Sequence, residues 1–353
     1  MQPAVVRVLD ANANRAREGF RVIEDFVRFD LDDGAFCAQI KSARHELAAA
    51  LNAASMPPLV RGRDVTSDVG RSVETNAEYA RSHPGHVAIA AAKRVTEALR
   101  VLEEYTKTFD PQHARKFERL RYNAYEIERA LCIRLDTRTR FARVRLYVLI
   151  TESLCSGPWL ATAERAIEGG ADCIQLREKS LCDQVLLDRA RELGRLCRNA
   201  GVQLVINDRA DIARLCGADG VHVGREDLSV SQARRIAGPS VQVGVSTHTL
   251  EQARAAMSAS PDYIAVGPMF ATNTKPQDHV PGPSLLTDVQ AETSLPIVPV
   301  GGIGADNLET VIIAGARRVC VCTAVIAQPD VAAAAGELKR RLCTGAASDR
   351  SFC

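Results

Sequence analysis

Polar and apolar positions follow two different rhythms along this chain. Up to about residue 135, apolar residues recur at helical spacing and no alternating segment stands out. Asp10-Ala11-Asn12 offers side chains that can cap a helix, and after it Ala16, Phe20, Ile23 and Val27 fall on one face. The charged face then repeats. Arg15-x-x-Glu18-x-x-Arg21-Val22-Ile23-Glu24-Asp25-Phe26 returns as Arg94-x-x-Glu97-x-x-Arg100-Val101-Leu102-Glu103-Glu104-Tyr105. Downstream of each copy, Ile40-Lys41-Ser42-Ala43-Arg44-His45 answers Phe117-Glu118-Arg119-Leu120-Arg121-Tyr122. A duplicated helix pair predicts an all-α domain of four helices.

From Leu146 onward, apolar strand-like runs alternate with helical segments. The runs are Leu146 to Ile150, Cys173 to Lys179, Val202 to Asp208 and Gly220 to Gly224, then Val241 to Ser246, Tyr263 to Phe270, Pro296 to Ile303 and Val319 to Val325. Eight strands with intervening helices predict a (β/α)8 TIM barrel in an α/β chain headed by the helical domain. An open doubly wound sheet that bound a dinucleotide would need a glycine-rich turn after its first strand, and Thr151-Glu152-Ser153-Leu154 supplies none. The expected domains are residues 1–135 and 145–343. The basic, Thr-containing stretch 136–144 is expected as a linker, and the small polar residues 344–353 as a disordered tail.

A length of 353 residues suits two domains, and 46% apolar with 25% charged residues is a globular composition. A net charge of +2 without a basic block argues against nucleic acid and against a membrane surface as partners. With no signal peptide and no apolar run able to span a bilayer, the expected location is cytoplasmic. Eleven cysteines, an odd number without Cys-x-x-Cys spacing, read as reduced thiols, Cys320 and Cys322 serving as small hydrophobes.

The chemistry concentrates where barrel strands end. In Cys173 to Lys179, Ile174 and Leu176 point one way, and Gln175, Arg177 and Lys179 point the other. A parallel strand covered by helices turns that second face inward, where its cations need an anion. Later strand ends carry Asn207-Asp208, Gly224-Arg225-Glu226-Asp227, Ser246-Thr247-His248, Thr272-Asn273-Thr274-Lys275, Gly301-Gly302 and Thr323. Arg177, Lys179 and Lys275 give three cations, and Asp208 with Asp227 gives two carboxylates suited to one Mg²⁺. Together they describe a pyrophosphate site. Thr272, Thr274 and the backbone around Gly302 describe a second, monophosphate site. Ser246 has His248 two residues on but no carboxylate to orient it, and His222 reads as a packed barrel histidine. Two phosphate sites without an activated nucleophile suggest group transfer with a departing pyrophosphate.

In the front half, the loop Arg61-Gly62-Arg63-Asp64-Val65-Thr66-Ser67-Asp68 offers cations for an anion and carboxylates for Mg²⁺. With the duplicated stripe it nominates Arg15, Glu18, Arg21, Arg63, Asp68, Arg94, Glu97 and Arg100 as a second site. The plainer reading is a solvated face of ion pairs worth little each. Against it, Val22 and Val101 interrupt the stripe in both copies, and solvated faces have no reason to repeat residue by residue.

These residues carry two resemblances. The Asn14-Arg15-Ala16-Arg17-Glu18-Gly19-Phe20-Arg21-Val22 run, the Arg63-Asp64 loop and the Glu97 to Tyr105 run resemble the helical hydroxymethylpyrimidine phosphate kinase domain often fused ahead of thiamine phosphate synthases. That likeness implies ATP-dependent phosphorylation of the pyrimidine monophosphate. Gln175-Leu176-Arg177-Glu178-Lys179, Asn207-Asp208, Gly220 to Leu228, Gly244-Val245-Ser246, Gly267 to Lys275 and Gly301-Gly302-Ile303 resemble thiamine phosphate synthase. This implies that hydroxymethylpyrimidine diphosphate loses pyrophosphate and is captured by the ring nitrogen of hydroxyethylthiazole phosphate. By position, Gln175 would face the pyrimidine; Arg177, Lys179, Asn207, Ser246 and Lys275 would hold pyrophosphate, and Asp208 and Asp227 would hold Mg²⁺. Thr272, Thr274 and Gly302 would take the thiazole phosphate. Ala271 stands where the family usually has Pro, and Thr323 where it commonly has Ser. Two alternatives accompany this reading: a non-catalytic helical module that mediates dimerisation, and a barrel with thiazole tautomerase activity, which has no evident need for the paired aspartates or Lys275.

Overall fold

The helical rhythm of the front half becomes α1 (Pro3–Phe29), α2 (Gly34–Leu51), α3 (Pro84–Lys107) and α4 (Pro111–Ala142), in a computed structural model that describes residues 2–63, 81–272 and 279–345. Proline opens α1, α3 and α4, where its missing N–H would have had no helical partner. Leu9, Ala13, Ala16, Phe20, Ile23 and Val27 of α1 step by three or four residues and are all buried. They share one core with Val95, Leu99 and Leu102 of α3, Ile40 and Leu47 of α2, and Phe117 and Ile127 of α4. Each large side chain so buried contributes about 1.5–3 kcal/mol.

Because the apolar stripe reaches back through Leu9 to Val5, α1 starts seven residues before the expected cap, at Pro3 rather than Asp10. Asp10 and Asn12 therefore stand inside the helix. Asn12 Nδ2 donates to the Val8 carbonyl at 2.8 Å, and Asp10 receives Arg63 Nε and Nη2 at 2.8 and 2.9 Å. Of the repeated charges, Glu24 and Glu103 are buried, and each takes an arginine from another helix. Arg44 Nε donates to Glu24 at 2.7 Å in the first copy, and Arg121 Nε donates to Glu103 at 2.8 Å in the second.

The chain divides into two units, Met1–Leu135 and Asp136–Cys353. Residues 136–142, expected as linker, are the last turns of α4. No Gly or Pro interrupts this stretch, Arg is a good helix former, and Thr137 and Phe141, four apart, are both buried. At the other end, Thr344 lies within a final helix rather than a tail, and residues 346–353 lie outside the described residues.

The second unit holds eight strands: β1 (Leu146–Ile150), β2 (Cys173–Leu176), β3 (Gln203–Asn207), β4 (Gly220–Val223), β5 (Gln242–Thr247), β6 (Tyr263–Val266), β7 (Ile297–Pro299) and β8 (Val319–Val321). All pairs are parallel in the order β7-β6-β5-β4-β3-β2-β1-β8, and a bridge between Val300 and Cys320 joins the two ends into a barrel. Alternate residues such as Val148, Ile174, Leu204 and Val221 pack outward beneath the surrounding helices. These helices are α5 (Trp159–Glu168), α6 (Asp183–Ala200), α7 (Ala210–Cys216), α8 (Val230–Ala237), α9 (Leu250–Ser258), α10 (Pro283–Gln290), α11 (Leu308–Ile313), α12 (Thr323–Ile326) and α13 (Val331–Gly345).

The barrel interior is filled by Tyr147, Cys173, Val205, Tyr263, Val298 and Cys320, with Phe141 from the end of α4 beneath them. A Cβ on Gly244 would lie 2.0 Å from the Tyr263 ring, so glycine in β5 makes the room that ring occupies. Burial pushes the Cys173 and Cys320 thiols up.

Candidate active site

At the ends of the strands the barrel opens into a cavity of about 660 Å³. Every described barrel residue nominated from the sequence lines it: Gln175, Arg177, Lys179, Asn207 and Asp208 from β2 and β3 with their loops, and Asp227, Ser246, Thr272, Gly302 and Thr323 from those that follow. Thr274 and Lys275 lie outside the described residues.

β2 ends at Leu176, so Arg177 and Lys179 leave from the loop rather than from the strand. The loop is pinned at its start: Arg177 N–H donates to the Ile150 carbonyl at 2.9 Å, and Thr151 Oγ1 donates to the Arg177 carbonyl at 2.8 Å. Among the described residues no carboxylate lies within ion-pair distance of the Arg177 guanidinium, although it lines the cavity. Such a cation is ready for an anion.

Asp208 follows β3 with φ +62°, a left-handed conformation uncommon for a residue with a side chain. Its N–H donates to the His222 carbonyl at 2.7 Å, and its carboxylate meets Lys179 Nζ at 2.9 Å. Burial and the neighbouring Asp227 carboxyl push Asp208 up, against the opposing pull of Lys179. Asp227 accepts the Gly224 N–H at 2.8 Å. Two adjoining carboxylates, one made more basic by the other, fit a shared Mg²⁺, which takes one or two carboxylates and leaves its other positions to water and phosphate oxygens. No group of three His, Cys, Asp or Glu that could hold a metal ion occurs among the described residues.

Beneath the cavity runs a chain of hydrogen bonds that the sequence reading missed. Gln175 Nε2 donates to Tyr147 Oη at 2.6 Å, Tyr147 Oη lies 3.1 Å from Tyr263 Oη, and Tyr263 Oη lies 3.0 Å from His222 Nδ1. His222 Nε2 then meets Ser246 Oγ at 2.8 Å. Burial pushes both phenols up, so they remain O–H groups able to donate. His222 is buried, as a packed histidine would be, but it is the partner of Ser246. His248 is not: its Nδ1 lies 2.6 Å from the Gly267 carbonyl. The cause is register. His222 pairs with Gly244, so Ser246, two residues on, shares its inward face. Inward parity of Tyr147, His222 and Tyr263 was the available signal.

On the opposite wall, Gly302 has φ +64°, and a Cβ there would fall 2.6 Å from the Ala271 carbonyl. The loop after β7 thus lies directly on the loop after β6, bringing Gly302 near Thr272. Asn307 holds the turn, accepting the Gly304 N–H at 2.9 Å and donating to the Gly302 carbonyl at 2.8 Å. Thr323 is the exposed first residue of α12.

In the helical unit, Arg15, Glu18, Arg94 and Glu97 are exposed. Arg21 pairs with Glu24 and Asp25 at 3.7 and 3.6 Å, and Arg100 with Glu103 and Glu104, both at 2.9 Å. Arg63 is held by Asp10, and Asp68 lies outside the described residues. Val22 and Val101 are half-buried, as expected of a partly covered face. Of the nominated set, Arg21 lines a second cavity, of about 510 Å³, with Arg17, Arg44, His45 and Ala48.

A model of the thiamine monophosphate synthase family matches residues 146–325, and one of the ThiD2 family matches residues 7–130. The thiamine-phosphate synthase of Rhodopirellula baltica is 40% identical over 330 residues, spanning 91% of this chain and 88% of that protein. That of Gloeobacter violaceus is 37% identical over 329 residues, spanning 93% and 94%. Among solved structures, the thiamine phosphate pyrophosphorylase from Pyrococcus furiosus matches with a TM-score of 0.54 at 31% identity, covering 59% of this chain and 98% of that one.

Proposed function

The chain belongs to the thiamine monophosphate synthase family, and on that premise we propose that its barrel joins hydroxymethylpyrimidine diphosphate to hydroxyethylthiazole phosphate. The observation that carries this reading is the single cavity lined by Arg177, Lys179, Asp208, Asp227, Ser246 and Thr272. In the reaction, the bond between the pyrimidine methylene carbon and the pyrophosphate oxygen breaks, and its electron pair leaves with pyrophosphate. The thiazole nitrogen lone pair then forms the new C–N bond, giving thiamine phosphate.

Arg177 and Lys179 meet the departing pyrophosphate, with Asn207 and Ser246 hydrogen-bonding beside them, and Lys275 completes the set. Stabilising charge as it develops on a leaving group is the largest contribution such a site can make. Mg²⁺ held by Asp208 and Asp227 would neutralise further pyrophosphate charge when bound. Gln175, fixed through Tyr147, faces the pyrimidine, and Thr272, Gly302 and Thr323 at the opposite wall hold the thiazole phosphate, a role the family resemblance extends to Thr274. The tautomerase alternative gives no part to the Asp208 and Asp227 pair.

For the helical unit the proposed activity is ATP-dependent phosphorylation of the pyrimidine monophosphate, supported by the ThiD2 match. The exposure of Arg15, Glu18, Arg94 and Glu97 favours the second reading, a non-catalytic helical module for dimerisation. One assay on the intact chain separates these. Diphosphate, thiazole phosphate and Mg²⁺ should yield thiamine phosphate, and no product overturns the barrel reading. Replacing the diphosphate by monophosphate plus ATP should also yield it; an active barrel without this second turnover leaves the helical unit non-catalytic. A cytoplasmic location suits such an enzyme, and no described helix is long and apolar enough to cross a membrane.

A further inference from the structure

The two copies of the helix pair enclose one shared ion pair differently. Arg44 and Arg121 occupy equivalent positions, each bonded to a buried glutamate. In the second copy Tyr122 and Tyr125 cover the arginine, whose guanidinium carbon lies 4.7 and 5.6 Å from their ring centroids. The Arg121 side chain is left 9% exposed. In the first copy the equivalents of those tyrosines are His45 and Ala48, and the equivalent of Thr96 is Arg17. Where the second copy is covered, the first opens into the 510 Å³ cavity, and Arg44 is 28% exposed.

The charges do not cancel there. Glu24 is shared by Arg21 and Arg44, and Asp25 reaches Arg21. Arg17 has no carboxylate within ion-pair distance among the described residues, and it lines the cavity. A pair serving only the fold is satisfied by the tyrosine cover, as the second copy demonstrates. Removing that cover and adding a cation produces instead a concave face of guanidinium groups, whose forked N–H donors match phosphate oxygens.

We infer that the cavity between Arg17, Arg21, Arg44 and His45 binds a phosphate group of a small-molecule ligand. The phosphate belongs either to ATP or to the pyrimidine monophosphate. A part in phosphoryl transfer rests on the kinase reading above; the capacity for phosphate does not.

The test is calorimetric titration of the full chain with ATP and, separately, with hydroxymethylpyrimidine phosphate, using wild type, Ala48→Tyr and Arg17→Thr. Both substitutions copy the second repeat, the first by restoring the cover at unchanged charge, the second at an exposed position that carries little folding risk. One ligand should bind the wild type and weaken about tenfold or more in both variants, while transfer from preformed diphosphate is unchanged. The ligand that weakens identifies the source of the phosphate, and binding common to all three proteins belongs to a different site. Should Ala48→Tyr lose helicity, Arg17→Thr decides. If neither ligand weakens, the site is overturned, and a wild type that still makes diphosphate from ATP keeps the kinase reading with its centre elsewhere. If binding is lost as expected but the wild type never turns over monophosphate, the site stands and the kinase reading falls.

Discussion

Phe141 and Tyr263 stack with ring centroids 4.2 Å apart and planes 13° from parallel. Phe141 belongs to the last turn of α4, whereas the Tyr263 hydroxyl reaches His222 and through it Ser246 at the cavity. A ring at the floor of the barrel thus sets the height of a hydrogen-bonded chain that ends at the candidate active site. Phe141→Ala should cost about 3–5 kcal/mol of barrel stability and lower turnover more than it alters KM. Denaturant unfolding and steady-state transfer assays check the two parts, and a Phe141→Ala barrel of unchanged stability and turnover would contradict this arrangement.

Ser246 and His222 should act as one unit. In a double-mutant cycle on kcat/KM with Ser246→Ala and His222→Ala, the coupling should reach about 0.5–3 kcal/mol. His248→Ala, whose ring bonds the Gly267 carbonyl instead, should show no such coupling to Ser246→Ala. Additive behaviour of Ser246 and His222 would dissociate them.

Removal of divalent cations by a chelator should stop transfer, and Mg²⁺ should restore it. Asp208→Asn and Asp227→Asn should each raise the Mg²⁺ concentration for half-maximal rate by about tenfold or more, since each removes one of only two carboxylates. Full rate at low Mg²⁺ in Asp208→Asn excludes the metal role.

Glu103 offers a test in the helical unit. Burial alone would raise its carboxyl, but hydrogen bonds from Lys107 and Arg121 outweigh that and hold it below the usual glutamate range. A lowered folded value means that the unfolded chain binds the proton first as pH falls. The stability this provides is complete above about pH 4.3, where unfolded glutamate titrates, and is lost as pH drops through the folded value. Thermal melts should show the helical unit weakening below about pH 4.3, with a shallower decline in Glu103→Gln. At neutral pH, Arg121→Ala should cost about 1–3 kcal/mol, less than a wholly unpaired buried charge would, because Lys107 and Arg100 still reach Glu103.

The helix pairs and all eight strands were legible because each rests on a local periodicity. What the rhythm left unmarked was the end of an element. Arg177 and Lys179 keep the two-residue spacing of Gln175 although the ladder stops at Leu176, and Asp136 to Ala142 is as compatible with helix as with linker. Candidate residues at the strand ends gather because barrel topology aims all eight ends at one mouth. The Tyr147, Tyr263 and His222 chain escaped notice because it depends on parity across three strands, which no single strand displays. In the helices the same limit hid Glu24 and Glu103, which ride beside Ile23 and Leu102 at the border of the apolar face and turn inward to meet an arginine from another helix.

Neighbours in the sheet are neighbours in the chain from β7 back to β1; β8 alone departs from this, pairing with β1 through Leu146 with Val319, Tyr147 with Cys320 and Val148 with Val321. Most of the barrel can therefore assemble in the order of synthesis, one strand laid beside the last. The ring closes only when its final strand returns to its first, a contact of long sequence separation whose entropy must be met late in folding. Until then the sheet has two bare edges of unpaired backbone, the form most prone to stick to other chains. A ribosome that stalls before residue 319 releases not a smaller catalyst but an open sheet in search of an edge.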